Sequence, residues 1–115
     1  MNAWIAAVAL TGAVVSGGAI AVPMSYGLGP TTCGLFVTAA EESRAGATAG
    51  VHSYMTWLSG YATKASGQSS IDYFKGTDTK SVQLWLENYC RANPLKTFND
   101  AAENALIELQ KGKTQ

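Results

Sequence analysis

Two cysteines, Cys33 and Cys90, a single histidine, His52, and the adjacent carboxylates Glu41 and Glu42 are the residues whose types invite chemistry. The cysteines lack the Cys-x-x-Cys arrangement that lowers a thiol pKa at a helix start, so a structural role suits them better than redox catalysis. With only one histidine to join them, they are also too few for a four-ligand structural zinc site. Neighbouring carboxylates stand about 100° apart around a helix, which fits a solvated face better than an acid and base flanking one substrate. His52 has Ser53 and Tyr54 beside it but no identifiable carboxylate to orient it, and a triad needs that third group. Gly27-Leu28-Gly29-Pro30 lacks the Lys-Ser/Thr ending and the preceding strand of a phosphate loop. The expectation is therefore a protein that is not an enzyme, with no catalytic residue, no metal ligand and no cofactor.

The compartment follows from the other end of the chain. Met1 to Ala40 contains no Lys, Arg, Asp or Glu, and Trp4 to Ala21 is an almost unbroken run of apolar or small residues ending in Ala19-Ile20-Ala21. That ending has the small-x-small form of a signal-peptidase site, so residues 1–21 are read as an export signal, although Met-Asn-Ala lacks the usual basic residue. The rival reading is a retained membrane anchor, which Gly12, Gly17 and Gly18 weaken. Pro30-Thr31-Thr32 ahead of Cys33 is not the small apolar box of a lipoprotein. A periplasmic or secreted location is expected, with no membrane contact if the signal is cut. There the two cysteines have one intramolecular pairing, and a Cys33–Cys90 disulfide would stabilise so small a domain by roughly 4 kcal/mol. Eight basic and eight acidic residues give no net charge, so neither a nucleic-acid footprint nor a patch for anionic lipid is present in the sequence.

These residues need elements to position them. Residues 22–30, with two prolines and two glycines, read as a flexible leader, and a helical domain is expected over 31–115. Thr32 can cap a first helix from Cys33 to about Arg44, with Leu35, Phe36, Ala39 and Ala40 facing the core. Val51, Tyr54, Met55, Leu58, Tyr61, Ala62 and Ala65 recur at three- and four-residue steps and predict a second helix, ended by Ser66-Gly67-Gln68-Ser69-Ser70. Ile71 to Phe74 suggests a short turn before Gly76, and Phe74 to Asp78 is either loop and cap or an exposed recognition loop. Asp78 can cap a third helix carrying Val82, Trp85, Leu86, Tyr89 and Cys90 on one face. Asn93-Pro94 has the cap-plus-N1 form of a fourth helix start, with Leu95, Phe98, Ala102, Ala105, Leu106 and Leu109 inward and Lys111-Gly112-Lys113 at its end. With no alternating β-branched run, the predicted class is all-α: a small four-helix domain stapled by one disulfide.

An internal echo joins the second and third helices. Trp57-Leu58-Ser59-Gly60-Tyr61 and Trp85-Leu86-Glu87-Asn88-Tyr89 both place Trp and Tyr four residues apart, one above the other on a helix face. As a functional feature, Tyr54, Trp57, Trp85 and Tyr89 would form a protein-binding surface. As an architectural one, they are core residues whose polar tips reach the surface.

The order of landmarks, an export signal, Cys33-Gly34-x-Phe36, Trp57-Leu58-x-Gly60-Tyr61 and Trp85-Leu86-x-x-Tyr89-Cys90-x-x-Asn93-Pro94, resembles the small periplasmic helical proteins of the HdeA acid-stress chaperone family. It also resembles the Tai-type immunity proteins that neutralise type VI secretion amidases. Cys33 and Cys90 are the residues that carry over in both. The first resemblance implies a disulfide-bonded helical protein that loosens at low pH and holds unfolding client proteins through apolar surface, although this chain is poorer in charge than such chaperones. The second implies a cognate effector enzyme as partner. A membrane-held structural subunit remains open if residues 1–21 are retained, and a second copy, giving a homodimer, is a further candidate partner.

Overall fold

The computed structural model describes residues 24–111 and 113; the expected export segment, residues 1–21, lies outside them, as does Gly112. The described chain is all-helical: α1 Cys33–Arg44, α2 Ala49–Ser69, α3 Thr79–Ala92 and α4 Phe98–Gln110. The one piece of extended pairing among the described residues is an isolated antiparallel bridge between Thr32 and Thr97. It draws the start of α1 against the start of α4.

Phe36 of α1 is fully buried and organises the core. Its ring meets Tyr54 of α2 edge-on at 5.2 Å and Phe98 of α4 at 4.9 Å, while Tyr54 and Phe98 meet each other at 4.8 Å. Such edge and tilted contacts suit the aromatic quadrupole. Leu58, Leu86, Ala101, Ala102 and Ala105 complete this cluster, the alanines giving α4 a flat inner face. A smaller cluster of Ala62, Ile71, Tyr73 and Leu106 closes the far end of α2 against α4. Burying each large side chain is worth about 1.5–3 kcal/mol.

Cys33 and Cys90 form the disulfide, tying the first residue of α1 to the last turn of α3 across a sequence separation of 57. Both are fully buried. A loop of that length gives about 4 kcal/mol in the chain-entropy model. The bond also places the folded protein in a non-reducing environment. Among the described residues no helix is long and apolar enough to cross a membrane.

A second device links the same two helices. Glu87 of α3 is 4% exposed, and both its oxygens are taken by Arg44 of α1, at 2.6 and 3.1 Å. Arg91, one turn along α3, adds a contact to Glu87 at 2.8 Å and another to Glu41 of α1 at 3.2 Å. These hydrogen bonds, Arg44's foremost, hold the Glu87 carboxyl below its usual range, although burial opposes them. Burial alone would push the carboxyl the other way.

Several expectations change. Leu35 is 55% exposed: Phe36, Ala39 and Ala40 direct the narrow inner stripe of α1, and Leu35 falls outside it. Thr32 occupies the N-cap position of α1 without a side-chain cap, its backbone having joined the bridge to Thr97. Helix α2 runs through Gly67 to Ser69 and stops where Ser70 turns left-handed. Asn93-Pro94 does not start α4. Asn93 closes α3 instead, its backbone N–H donating to the carbonyls of Tyr89 and Cys90 and its side-chain amide to Tyr89. Leu95 is consequently 91% exposed on a turn. The start of α4 is set by Thr97, whose hydroxyl accepts from the Asp100 N–H while Asp100 accepts from the Thr97 N–H. This reciprocal box satisfies two donors that Asn93 could not reach.

Candidate functional site

Residues 24–30, expected as a flexible leader, lie across the domain as a strap. The Trp57 indole N–H donates to the Tyr26 carbonyl at 2.9 Å. Further along, the Gly29 carbonyl accepts from the Asn99 N–H at 2.8 Å, and the Thr31 carbonyl accepts from Phe98. Gly29 passes so close to Trp57 that a Cβ there would collide with the indole and with Ser25 Oγ. Only glycine fits this crossing. Trp57 is thus enclosed by Tyr61 stacked at 5.4 Å, by the edge of Phe98 at 5.6 Å and by the strap.

Between the strap, α2 and α4 opens a groove of about 710 Å³, within the range of ligand-binding clefts. Met24, Tyr26, Trp57 and Tyr61 supply its apolar wall, and Ser25, Thr56, Lys64, Gln68, Asn99 and Glu103 its polar groups. Met24 and Tyr26 are largely exposed there. Tyr61 is half-buried, and burial, with the Glu103 charge adding to it, pushes its phenol above the usual tyrosine value. It stays a neutral donor over a wider pH range.

The second aromatic pair is placed differently. Trp85 and Tyr89 stack at 5.6 Å, and Trp85 borders a smaller apolar pocket of about 180 Å³ with Val82, Ala105 and Leu109. The Tyr89 hydroxyl accepts from the Asn104 side-chain amide of α4 at 3.2 Å. The four residues expected as one binding surface are therefore not brought together. Tyr54 is 6% exposed, its ring inside the aromatic core and its hydroxyl paired with Thr31 at 3.1 Å; a partner cannot reach it without unfolding the core. Trp57 and Trp85 each stand beside α4, but in separate cavities.

His52 and Glu42 are exposed, and the Ser53 hydroxyl donates to the Ala49 carbonyl of its own helix. No group of three His, Cys, Asp or Glu that could hold a metal ion occurs among the described residues. In the Phe74 to Asp78 stretch, Phe74 packs against the core and Asp78 caps α3 through the Ser81 N–H at 2.8 Å. That backbone bond holds the Asp78 carboxyl below its usual value.

Sequence reasoning did not single out the strap residues Met24 and Tyr26, nor Lys64, Gln68, Asn99 and Glu103. Tyr61 and Gly60 were visible in the Trp-Leu-x-Gly-Tyr echo. No protein-family model, no curated protein and no solved structure matches this chain.

Proposed function

We propose that the protein is a non-enzymatic, exported binding protein of the periplasm that holds a protein partner in the groove between the strap, α2 and α4. The observation that carries this reading is the groove itself: an apolar and aromatic wall faced by hydrogen-bonding groups, with one lysine and one glutamate among them, on a domain closed by a buried disulfide. A binding cleft needs such a mixture, apolar area for affinity and a few polar groups for orientation.

Protection of unfolding clients is the form of binding favoured by the Glu87 latch. Its stabilisation is complete above the ordinary glutamate value and is lost as pH falls through the depressed folded-state value, so acid loosens α1 from α3. The disulfide keeps the ends joined meanwhile. The test is light scattering from an aggregating client at pH 2–3 and at neutral pH, with and without the oxidised protein. Suppression that weakens in Tyr61→Ala supports the reading. No suppression at either pH, together with inhibition of a secreted cell-wall amidase, would transfer the function to immunity.

A further inference from the structure

We infer that the strap and α4 are two halves of one lid, which comes off the domain as a unit and uncovers an aromatic face formed by Phe36, Tyr54 and Trp57. The inference rests on the proposed binding role and adds to it the way a client is admitted.

The disulfide closes residues 33–90 into a covalent loop that holds α1, α2 and α3 as far as Cys90. The strap precedes this loop and α4 follows it. A crosslink restricts the unfolded chain only between its two ends, so neither outlying segment is stabilised by it directly. The charged ties are divided in the same way. Among the described residues, every ion pair between helices joins α1 to α3, through Arg44, Glu87, Arg91 and Glu41, whereas Glu108 pairs with Lys111 at the end of α4 itself.

The two outlying segments are bonded to each other instead. In the first turn of α4, the Asn99 N–H donates to the Gly29 carbonyl of the strap and the Phe98 N–H to the Thr31 carbonyl just after it, both at 2.8 Å. A helix start leaves such donors without an acceptor in their own helix, so the strap serves as a cap for α4. The Thr32–Thr97 bridge fastens the two where they meet.

What this pair covers is aromatic. Phe98 lies against Phe36, Tyr54 and Trp57, while the strap crosses the Trp57 ring at Gly29 and Thr31 pairs with the Tyr54 hydroxyl. The rest of the inner face of α4 holds it down weakly, since Ala101, Ala102 and Ala105 bury one methyl each beside Leu106. Once lifted, a helix of 13 residues does not keep its own hydrogen bonds, because isolated helices below about 12–15 residues are marginal in water. The strap then loses the donors it was capping, which makes the opening all-or-none. Trp57 and Tyr61 stay on α2, so the groove wall runs on into the uncovered face. A client that binds this open form and not the closed one draws the equilibrium toward it.

The test is native-state hydrogen exchange of the oxidised protein in rising urea below its unfolding transition. The amides of Ala102 and Ala105 report α4, and the Trp57 indole N–H, bonded to Tyr26, reports the strap. These are expected to share one opening free energy and urea slope and, corrected for intrinsic rates, to exchange at least about tenfold faster than the amides of Ala40, Leu58 and Leu86 in α1, α2 and α3. Gly29→Val, which collides with the Trp57 ring, is expected to speed the Ala102 and Ala105 amides at least about tenfold and leave those of α1 to α3 unchanged. Asp100→Ala, a milder change made from the α4 side, removes the reciprocal box and should speed the Trp57 indole proton at least about threefold. One opening free energy for all four helices, acceleration by Gly29→Val confined to Phe98 and Asn99, or an indole proton indifferent to Asp100→Ala would overturn the inference. In the aggregation assay Gly29→Val is expected to protect the client at a concentration at least about threefold lower than the wild type, by population of the open form. Protection no better than wild type, with the lid shown to open, would overturn its part in admitting clients. Client protection without separate opening would overturn the lid and spare the binding function; separate opening with no protection by either protein would do the reverse.

Discussion

Trp57–Tyr61 on α2 and Trp85–Tyr89 on α3 have nearly the same ring geometry, 5.4 Å and 18° against 5.6 Å and 14°. Helical spacing of four residues is enough to produce both stacks. Their surroundings then separate them. Trp57 touches Phe98, binds the strap and borders an open polar groove, whereas Trp85 closes a small apolar pocket and Tyr89 is held by Asn104. The residues between the rings diverge in the same way. Ser59 is exposed and bonds back to the Met55 carbonyl, while its counterpart Glu87 is buried beneath two arginines. Gly60 opens a groove where Asn88 faces solvent. A repeated local pattern reproduces ring geometry, and burial and role come from what packs against it.

The comparison can be broken most severely at the disulfide, which follows the α3 stack directly. Replacing both Cys33 and Cys90 by Ser is expected to cost about 4 kcal/mol in urea unfolding. The Trp85 signal should fade at lower urea than that of Trp57, both followed as fluorine resonances in one 5-fluorotryptophan-labelled protein that keeps both rings. Equal loss would mean the two stacks belong to one cooperative unit.

Next come the tryptophans themselves. Trp57→Ala is expected to destabilise by about 3 kcal/mol because it opens the core at Phe98 and frees the strap, and Trp85→Ala by about 1–2 kcal/mol. Chemical denaturation orders them, and the reverse order would place the structural centre in α3.

Glu87→Gln is expected to cost about 1–3 kcal/mol at pH 7, since hydrogen bonds to charged groups are stronger than neutral ones. Ser59→Ala should change stability by less than about 0.5 kcal/mol. The folded-state value of Glu87 lies below its ordinary 4.5, so the wild-type advantage over Glu87→Gln must shrink as pH drops below that and vanish in strong acid. Thermal unfolding between pH 7 and pH 2 measures it, and a gap that widens in acid contradicts the latch.

The smallest effect has the opposite sign. Gly60→Ala is expected to raise stability by about 0.5–1 kcal/mol, as a Cβ there meets nothing. Asn88→Ala, in the corresponding place, should gain no more than about 0.5 kcal/mol. Thermal unfolding of the pair shows whether the open groove is maintained against helix stability.

Much of the scaffold was legible in order of side chains. The Asp78 cap of α3 follows from capping chemistry and the stripe Val82, Leu86, Cys90 from the 3.6-residue period, both of which are local, whereas α1 begins at Cys33 without the side-chain cap that Thr32 offered. The start of α4 was not, because Asn93-Pro94 and Thr97-Phe98-Asn99-Asp100 are both plausible starts. The choice fell to Asn93 being spent on closing α3. Glu87 also escaped notice: its i+4 partner Arg91 is local, but Arg44, which completes the enclosure, lies 43 residues away.

The sequence by itself determined an all-α chain, one possible cysteine pairing and two Trp-Tyr stacks, because helix period, cap residues and residue counts act over a few positions. Only the tertiary structure decided that Tyr54 is core, that residues 24–30 bind across Trp57, and that the groove belongs to α2 and α4 instead of α2 and α3. Those outcomes depend on contacts between residues distant in sequence, such as Trp57 with Tyr26 and Phe36 with Phe98, and no local period or propensity encodes which surfaces meet.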